Sequence, residues 1–421
     1  MSTFNINLHE TIYSLSDALD LVGVNHVHHG KRVAFMAAEC AKVQNWSPQD
    51  LDTLFKAAIL HDCGVSTTSV HNKLAQLEWE HEKDHCKIGA SLLKQTPLLA
   101  PLANIVLHHH THWEHLKQLD LPVAVKQQAN CIYLVDRVDM LCLRYMNKEP
   151  NILLHKERIR DQIIERKASW FCPELVESFL EVSSTDFFWF SLEKEHITGY
   201  VSTWSSHDCT QEIDFSELQS IVRIFSYIVD TKSSYTQEHS AGVASLARYL
   251  GELHNLPEKR CDMLEIAGLL HDIGKLRVPD EILEKPGKLT PSEYAIMKRH
   301  SFDSYDILCK IKGFEEIALW AGDHHEWLNG GGYPSLKKKR NLSIEARIIT
   351  IADIFQALAQ QRPYREMLTA KNILIILKKE VAAGKLAADI VNMVEQNLDN
   401  CMQKALHCPK LSISRSVPEI N

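Results

Sequence analysis

The chain carries one pattern twice. Ala267-Gly-Leu-Leu-His-Asp-Ile-Gly-Lys275 is apolar up to Leu270, sets His271 beside Asp272 and runs on through Gly274 and Lys275. Ile59-Leu-His-Asp-Cys-Gly64 repeats that order 210 positions earlier. His29 stands 32 residues before His61, and His239 stands 32 before His271. His109-His110 lies 24 past His85, and His324-His325 lies 24 past His300. Asp136 closes the first series and Asp353 the second. A spacing kept over so many positions restricts the chain to two copies of one domain.

Both copies read as helical. Leu51-Asp-Thr-Leu-Phe-Lys-Ala-Ala-Ile-Leu60 places apolar residues at helical spacing just before His61. Gly274 reads as a helix-stop signal after His271-Asp272. Phe215–Asp230 has the pattern of a long amphipathic helix that opens the second copy. The expected fold is all-α: two tandem helical bundles, at residues 1–205 and 206–410, followed by a flexible tail at 411–421. Between the bundles, the aromatic and β-branched residues of 186–204 fit either a short β-hairpin or a packed connector helix.

Composition narrows the function. A net charge of −8 and a pI near 6.3 give no dominant basic surface, which argues against a general DNA binder. The eleven cysteines form no Cys-x-x-Cys pair, as expected in a reducing cytoplasm. The first residues lack a signal-peptide pattern, and no run approaches the ~18 apolar residues of a membrane span. The expectation is a soluble cytoplasmic protein. Its 23 histidines cluster, which points to metal chemistry.

His239, His271, Asp272, His300, His324, His325 and Asp353 bring seven metal-competent side chains into 115 residues. Seven ligands exceed one tetrahedral ion, and a carboxylate central in the order, Asp272, can bridge two. No cysteine sits within the pattern, which argues against a thiolate zinc site, and imidazole and carboxylate donors leave iron, manganese, nickel and zinc open. Two ions ~3.5–4 Å apart suit in-line attack of water on phosphorus. Lys275 can reach the same site and hold a phosphate oxygen. The first copy has a parallel set in His29, His61, Asp62, His85, His109, His110 and Asp136.

This order resembles the HD superfamily of metal-dependent phosphohydrolases. The second copy adds His324-His-Glu-Trp-Leu-Asn-Gly-Gly-Gly-Tyr-Pro334 and Gln361-Arg-Pro-Tyr-Arg365, which resemble the HD-GYP family of bacterial cyclic dinucleotide phosphodiesterases. The resemblance implies a helical bundle with two divalent ions, iron or manganese favoured and nickel or zinc as alternatives. His239, His271, Asp272 and Asp353 would hold one ion, and Asp272, His300, His324 and His325 the other. Asp272 and Lys275 would be catalytic. The implied reaction opens 3′3′-cGAMP or cyclic di-GMP to the linear 5′-phosphorylated dinucleotide, whose terminal phosphate such a site could also remove. The tandem layout is similar to that of the cGAMP enzymes. A nucleotidase acting on mononucleotides and a non-catalytic dinucleotide receptor are the alternatives.

Within this reading, Gly330–Pro334 shapes the substrate cleft, with Gly332 and Tyr333 at the substrate, and Arg362 and Arg365 grip the second phosphate. Asn329 departs from the Asp common in the family and is read as structural. Tyr235 replaces the Glu with which some members gather a third ion, so two ions are expected. In the first copy Val65 stands where Lys275 stands, and neither the glycine loop nor the Arg-Pro-Tyr-Arg sequence follows. That copy is expected to support or regulate the second through an interface between them.

Overall fold

A computed structural model describes residues 2–21, 28–65, 84–146, 151–205, 210–232, 239–361 and 366–407. Tyr235, Arg362, Arg365 and the expected tail at 411–421 lie outside the described residues. The described chain is predominantly helical, with one two-stranded sheet. It divides into two compact units. Residues 8–205 make the first; β1 (Thr3–Asn7) joins residues 210–407 in the second. The split thus differs from a single cut at 205/206 in where the first seven residues belong.

In the second unit β1 pairs antiparallel with β2 (Thr210–Asp214), Thr3 opposite Asp214 and Asn7 opposite Thr210. The alternation of β1 buries Phe4 and Ile6, at 7% and 1% exposure. Helix His239–Leu253 lies centrally, packed on Glu258–Leu270, Ile344–Ala359 and Leu398–Leu406. Helix Pro291–Leu308 begins at a capping box: Thr290 accepts from the Glu293 amide while Glu293 accepts from the Thr290 amide. Ser343 caps Ile344–Ala359 by accepting from the Ala346 amide.

The first unit follows the same order. His29–Val43, Pro48–Leu60, Asp84–Leu93, Ala103–His108 and Val123–Met146 match the ligand-bearing helices of the second in sequence. The aromatic stretch at 186–204 is helical, in Asp186–Phe190 and Lys194–Ser205, so the hairpin alternative is corrected. Its apolar residues Ile197, Tyr200, Val201 and Trp204 recur at helical spacing. Tyr200 packs edge-on to Phe35 at 4.9 Å between centroids, and Trp204 lies on Phe55 at 4.2 Å. Tertiary packing overrides the strand preference of the individual residues.

Replacing Ile6 by Ala should therefore destabilise the second unit, although position 6 stands at the far end of the sequence. A loss of about 2–4 kcal/mol is expected for a fully buried Ile. Calorimetry should place it in the unfolding transition that Asp272→Ala perturbs, not in the one that Asp62→Ala perturbs.

Candidate active site

Helix Glu258–Leu270 ends where His271 turns out of it, and a 3₁₀ turn, Ile273–Arg277, follows. Gly274 does not adopt a positive φ there, so its role is different from the stop signal expected. A Cβ on it would lie 2.1 Å from the His300 carbonyl oxygen. Glycine lets the His271-Asp272 turn press directly on the helix that carries His300. Ser304 secures the contact, accepting from the Gly274 amide at 3.0 Å and donating to the His271 carbonyl at 2.7 Å.

This turn brings all seven expected ligands of the second unit together. Asp272 Oδ2 lies 3.6 Å from His239 Nε2 and 3.3 Å from His271 Nε2. Asp353 Oδ1 faces the same pair at 3.3 and 3.9 Å. Asp272 Oδ1 faces the other way, 3.5 Å from His300 Nε2 and 3.7 Å from His324 Nε2. His325 lies beside them, tilted 4.0 Å from His324 and edge-on 5.1 Å from His300 between centroids. The donor atoms of His239, His271 and Asp353 lie within 4.8 Å of one another, as do those of His300, His324 and His325. One carboxylate stands between the two groups.

The ring orientations are fixed from behind. Nδ1 of His271, His300 and His324 donates to the carbonyls of Gly268, Met297 and Ala321 at 2.8, 2.6 and 2.5 Å. His239 Nδ1 donates to Gln356 Oε1 at 2.5 Å. A carbonyl can only accept, so the Nδ1 atoms carry protons and it is the Nε2 atoms, with a lone pair when the ring is neutral, that face the cluster. The Nε2 atoms of His300 and His324 meet at 3.2 Å, where two lone pairs repel without a cation between them. Burial and the neighbouring His325 push His300 down to about 3 and His324 well below its usual range, so a proton does not fill that place. His271 Nε2 and Asp272 Oδ1 are buried and make no hydrogen bond among the described residues. Burial opposes ionisation of Asp272, yet His271 and Lys275 hold its carboxyl well below the carboxylate range. Buried, anionic, and rich in inward lone pairs, the cluster fits divalent cations.

Of the remaining expected residues, Lys275, Gly332 and Tyr333 are among those described. Lys275 Nζ sits on Asp272 Oδ2 at 2.5 Å. Tyr333 lies 4.8 Å from the His325 ring, and its amide donates to the His325 carbonyl at 3.2 Å. Gly332 is buried, and a Cβ there would meet that same carbonyl at 2.4 Å, so the loop can close on the His-His pair only as glycine. Asn329 accepts from the Gly331 amide and donates to the Ala383 carbonyl, the structural use read from the sequence. Lys337 is tied to Asp323 at 2.7 and 2.8 Å.

Sequence reasoning missed Gln356 and Glu326. Gln356 lies one helical turn past Asp353, a spacing that could have exposed it. Glu326 accepts from the Ser335 and Lys337 amides at 2.5 and 3.0 Å and so pins the exit of the glycine loop.

The first unit assembles its expected residues in the same way. Asp62 Oδ2 lies 3.7 and 3.5 Å from Nε2 of His29 and His61, and Oδ1 lies 3.7 and 3.9 Å from Nε2 of His85 and His109. Asp136 faces His29 at 3.4 Å and His110 at 3.9 Å. Two neighbours differ from the second unit. Arg137 places Nη2 2.6 Å from Asp136 Oδ2. Cys86 brings Sγ to 3.4 Å from His85 Nε2, a cysteine that the sequence reading did not count. Val65 is buried in the place of Lys275.

Models described as HD domain match residues 27–141 and 223–390. The 3′3′-cGAMP-specific phosphodiesterase 1 of Vibrio cholerae serotype O1 is 36% identical over 96% of this chain and 94% of its own length. The 3′3′-cGAMP-specific phosphodiesterase 3 of the same organism is 36% identical over 70% of this chain and 63% of its own. A crystal structure of a cyclic GMP-AMP specific phosphodiesterase from V. cholerae superposes with a TM-score of 0.65, at 25% identity, over 94% of this chain and 98% of that one. The likeness therefore extends over both HD domains, and the chain belongs to the HD-GYP family of HD-domain proteins.

Proposed function

We propose that the second unit hydrolyses one phosphodiester of a cyclic dinucleotide, with 3′3′-cGAMP favoured over cyclic di-GMP. Water adds to phosphorus, the ribose 3′-oxygen leaves, and the product is the linear 5′-phosphorylated dinucleotide. The observation that carries this reading is Asp272, whose two oxygens face separate groups of imidazoles. The preference for 3′3′-cGAMP is supported by the relative of that specificity that aligns along both units.

Asp272 Oδ2, His239, His271 and Asp353 would hold one divalent ion, and Asp272 Oδ1, His300, His324 and His325 the other, with iron or manganese favoured. When bound, the ions supply Lewis acidity at phosphorus and offset the charge that builds there. The protein's own share is orientation and exclusion of water. Backbone carbonyls and Gln356 lock the imidazoles, and Lys275 offers an ammonium beside Asp272 for a phosphate oxygen. Tyr333 lies over His325 and walls the cleft, with Glu326 holding the loop behind it. The glycine loop favours a dinucleotide over a mononucleotide, and the complete ligand set with Lys275 favours turnover over simple reception.

In the first unit, Val65 stands where Lys275 supplies its ammonium, and Arg137 is spent on Asp136. That unit serves a supporting or regulatory role. Asp272→Ala should thus abolish turnover of 3′3′-cGAMP with helical circular dichroism unchanged, whereas Asp62→Ala should retain most of it. Equal loss in two folded variants would place the first unit in the chemistry.

Replacing Gln356 by Leu leaves all metal donors in place and removes only the acceptor for His239 Nδ1. Metal affinity should fall about 10–100-fold, read by competition with a chelating dye. Burial lowers the His271 pKa, but Asp272 outweighs it and pushes His271 up to about 9. A metal must displace that proton. Affinity should therefore climb with pH below about 9, roughly tenfold per unit for one proton released, and level off above it. Calorimetric titrations at several pH values would check the slope.

A further inference from the structure

His85 and Cys86 open helix Asp84–Leu93, and His109 and His110 follow helix Ala103–His108. Their four donor atoms lie within 4.8 Å of one another. Cys86 Sγ is 3.4 Å from His85 Nε2 and 4.0 Å from His109 Nε2. A tetrahedral zinc site, with bonds of ~2.0–2.1 Å to nitrogen and ~2.3 Å to sulfur, has edges of roughly 3.3–3.6 Å. The group therefore needs little movement to close on an ion. His109 Nδ1 donates to the Val106 carbonyl at 2.6 Å, so its Nε2 is the free donor. Cys86 is buried at 1% exposure.

The second unit has Ser301 at this place, with Oγ 3.4 Å from His300 Nε2. The two sites thus differ in the donor atom that most affects metal choice: a thiolate selects a softer ion than a hydroxyl does. In the other half of the first unit's cluster a cation stands beside the last carboxylate, where the second unit has Ile354. Arg137 lies on Asp136 Oδ2 through Nη2 at 2.6 Å and Nε at 3.1 Å. A divalent ion held by His29, His61 and Asp136 would face that guanidinium across one carboxylate.

We infer that the first unit binds a single thiophilic divalent ion, of the zinc class, through His85, Cys86, His109 and His110. The ion ties the start of one helix to the end of another and gives the unit a structural centre. Its imidazoles are the counterparts of His300, His324 and His325, and its thiolate is what the hydrolytic site lacks.

The test loads the full-length chain with Co(II) after removal of its metals and reads the near-ultraviolet band of thiolate-to-cobalt charge transfer. The expected result is a band scaled to one thiolate per chain. It should vanish in Cys86→Ser, while cobalt still binds the second unit and turnover of 3′3′-cGAMP persists. The neighbouring Cys63→Ser should keep the band. Should Cys86→Ser fail to fold, His110→Ala is expected to shift or weaken the band. A loaded wild-type protein without the band would overturn the inference. So would a band that survives in folded Cys86→Ser or is unaltered in His110→Ala.

Discussion

The site of the second unit depends on one close approach. The His271-Asp272 turn meets the His300 helix with no side chain between them, because position 274 is glycine. Push the two apart by the width of a methyl group and Asp272 can no longer face both groups of imidazoles. The first unit keeps the same contact, with a Cβ on Gly64 placed 2.0 Å from the His85 carbonyl. The bulk of each bundle can be read as the frame that holds this contact closed. Five helices lead the cluster residues to it from different directions, and capping at Thr290 and Ser343 sets where two of them begin.

The ligands were legible because spacing survives in the sequence. A helix fixes which residues share a face, and the repeated intervals told the same story in both copies. The helical class followed from Leu51–Leu60 and its counterpart for the same reason. What the sequence concealed is what depends on neighbours remote in the chain. Glu326 reads as an ordinary acidic residue until the loop folds back over it. Gln356 could have been suspected from its place one turn past Asp353, but a glutamine on a helix is common. Gly274 was legible as special, yet its use as a contact surface required knowing what lies opposite. The 186–204 stretch stayed open between hairpin and helix because aromatic and β-branched residues favour strands wherever packing leaves a choice.

The two units illustrate how an inherited cluster can drift. The imidazoles and the central carboxylate are present in both, where they are part of how the helices meet. The changes concentrate one atom outside that frame. Lys275 becomes Val65, the residue after the last carboxylate is Arg137 instead of Ile354, and Ser301 becomes Cys86. Each exchange alters charge or donor softness while leaving the backbone path alone. Gln356 has its counterpart in Asp139, which accepts from His29 Nδ1 at 2.7 Å and also binds Arg32.

The pairing of β1 with β2 makes the second unit discontinuous, with the whole first unit spliced into it. This has a consequence for synthesis. β1 leaves the ribosome about 200 residues ahead of its partner, a wait of roughly 10–40 s at ~5–20 residues per second. Through that interval its backbone groups have no sheet to join, a condition that invites pairing with other nascent chains. The strand is short, and the first helix starts directly after it at Leu8, so little edge is offered. Gene fragments cut near codon 206 to isolate the second unit would omit half of its sheet. A faithful excision has to carry the first seven codons along.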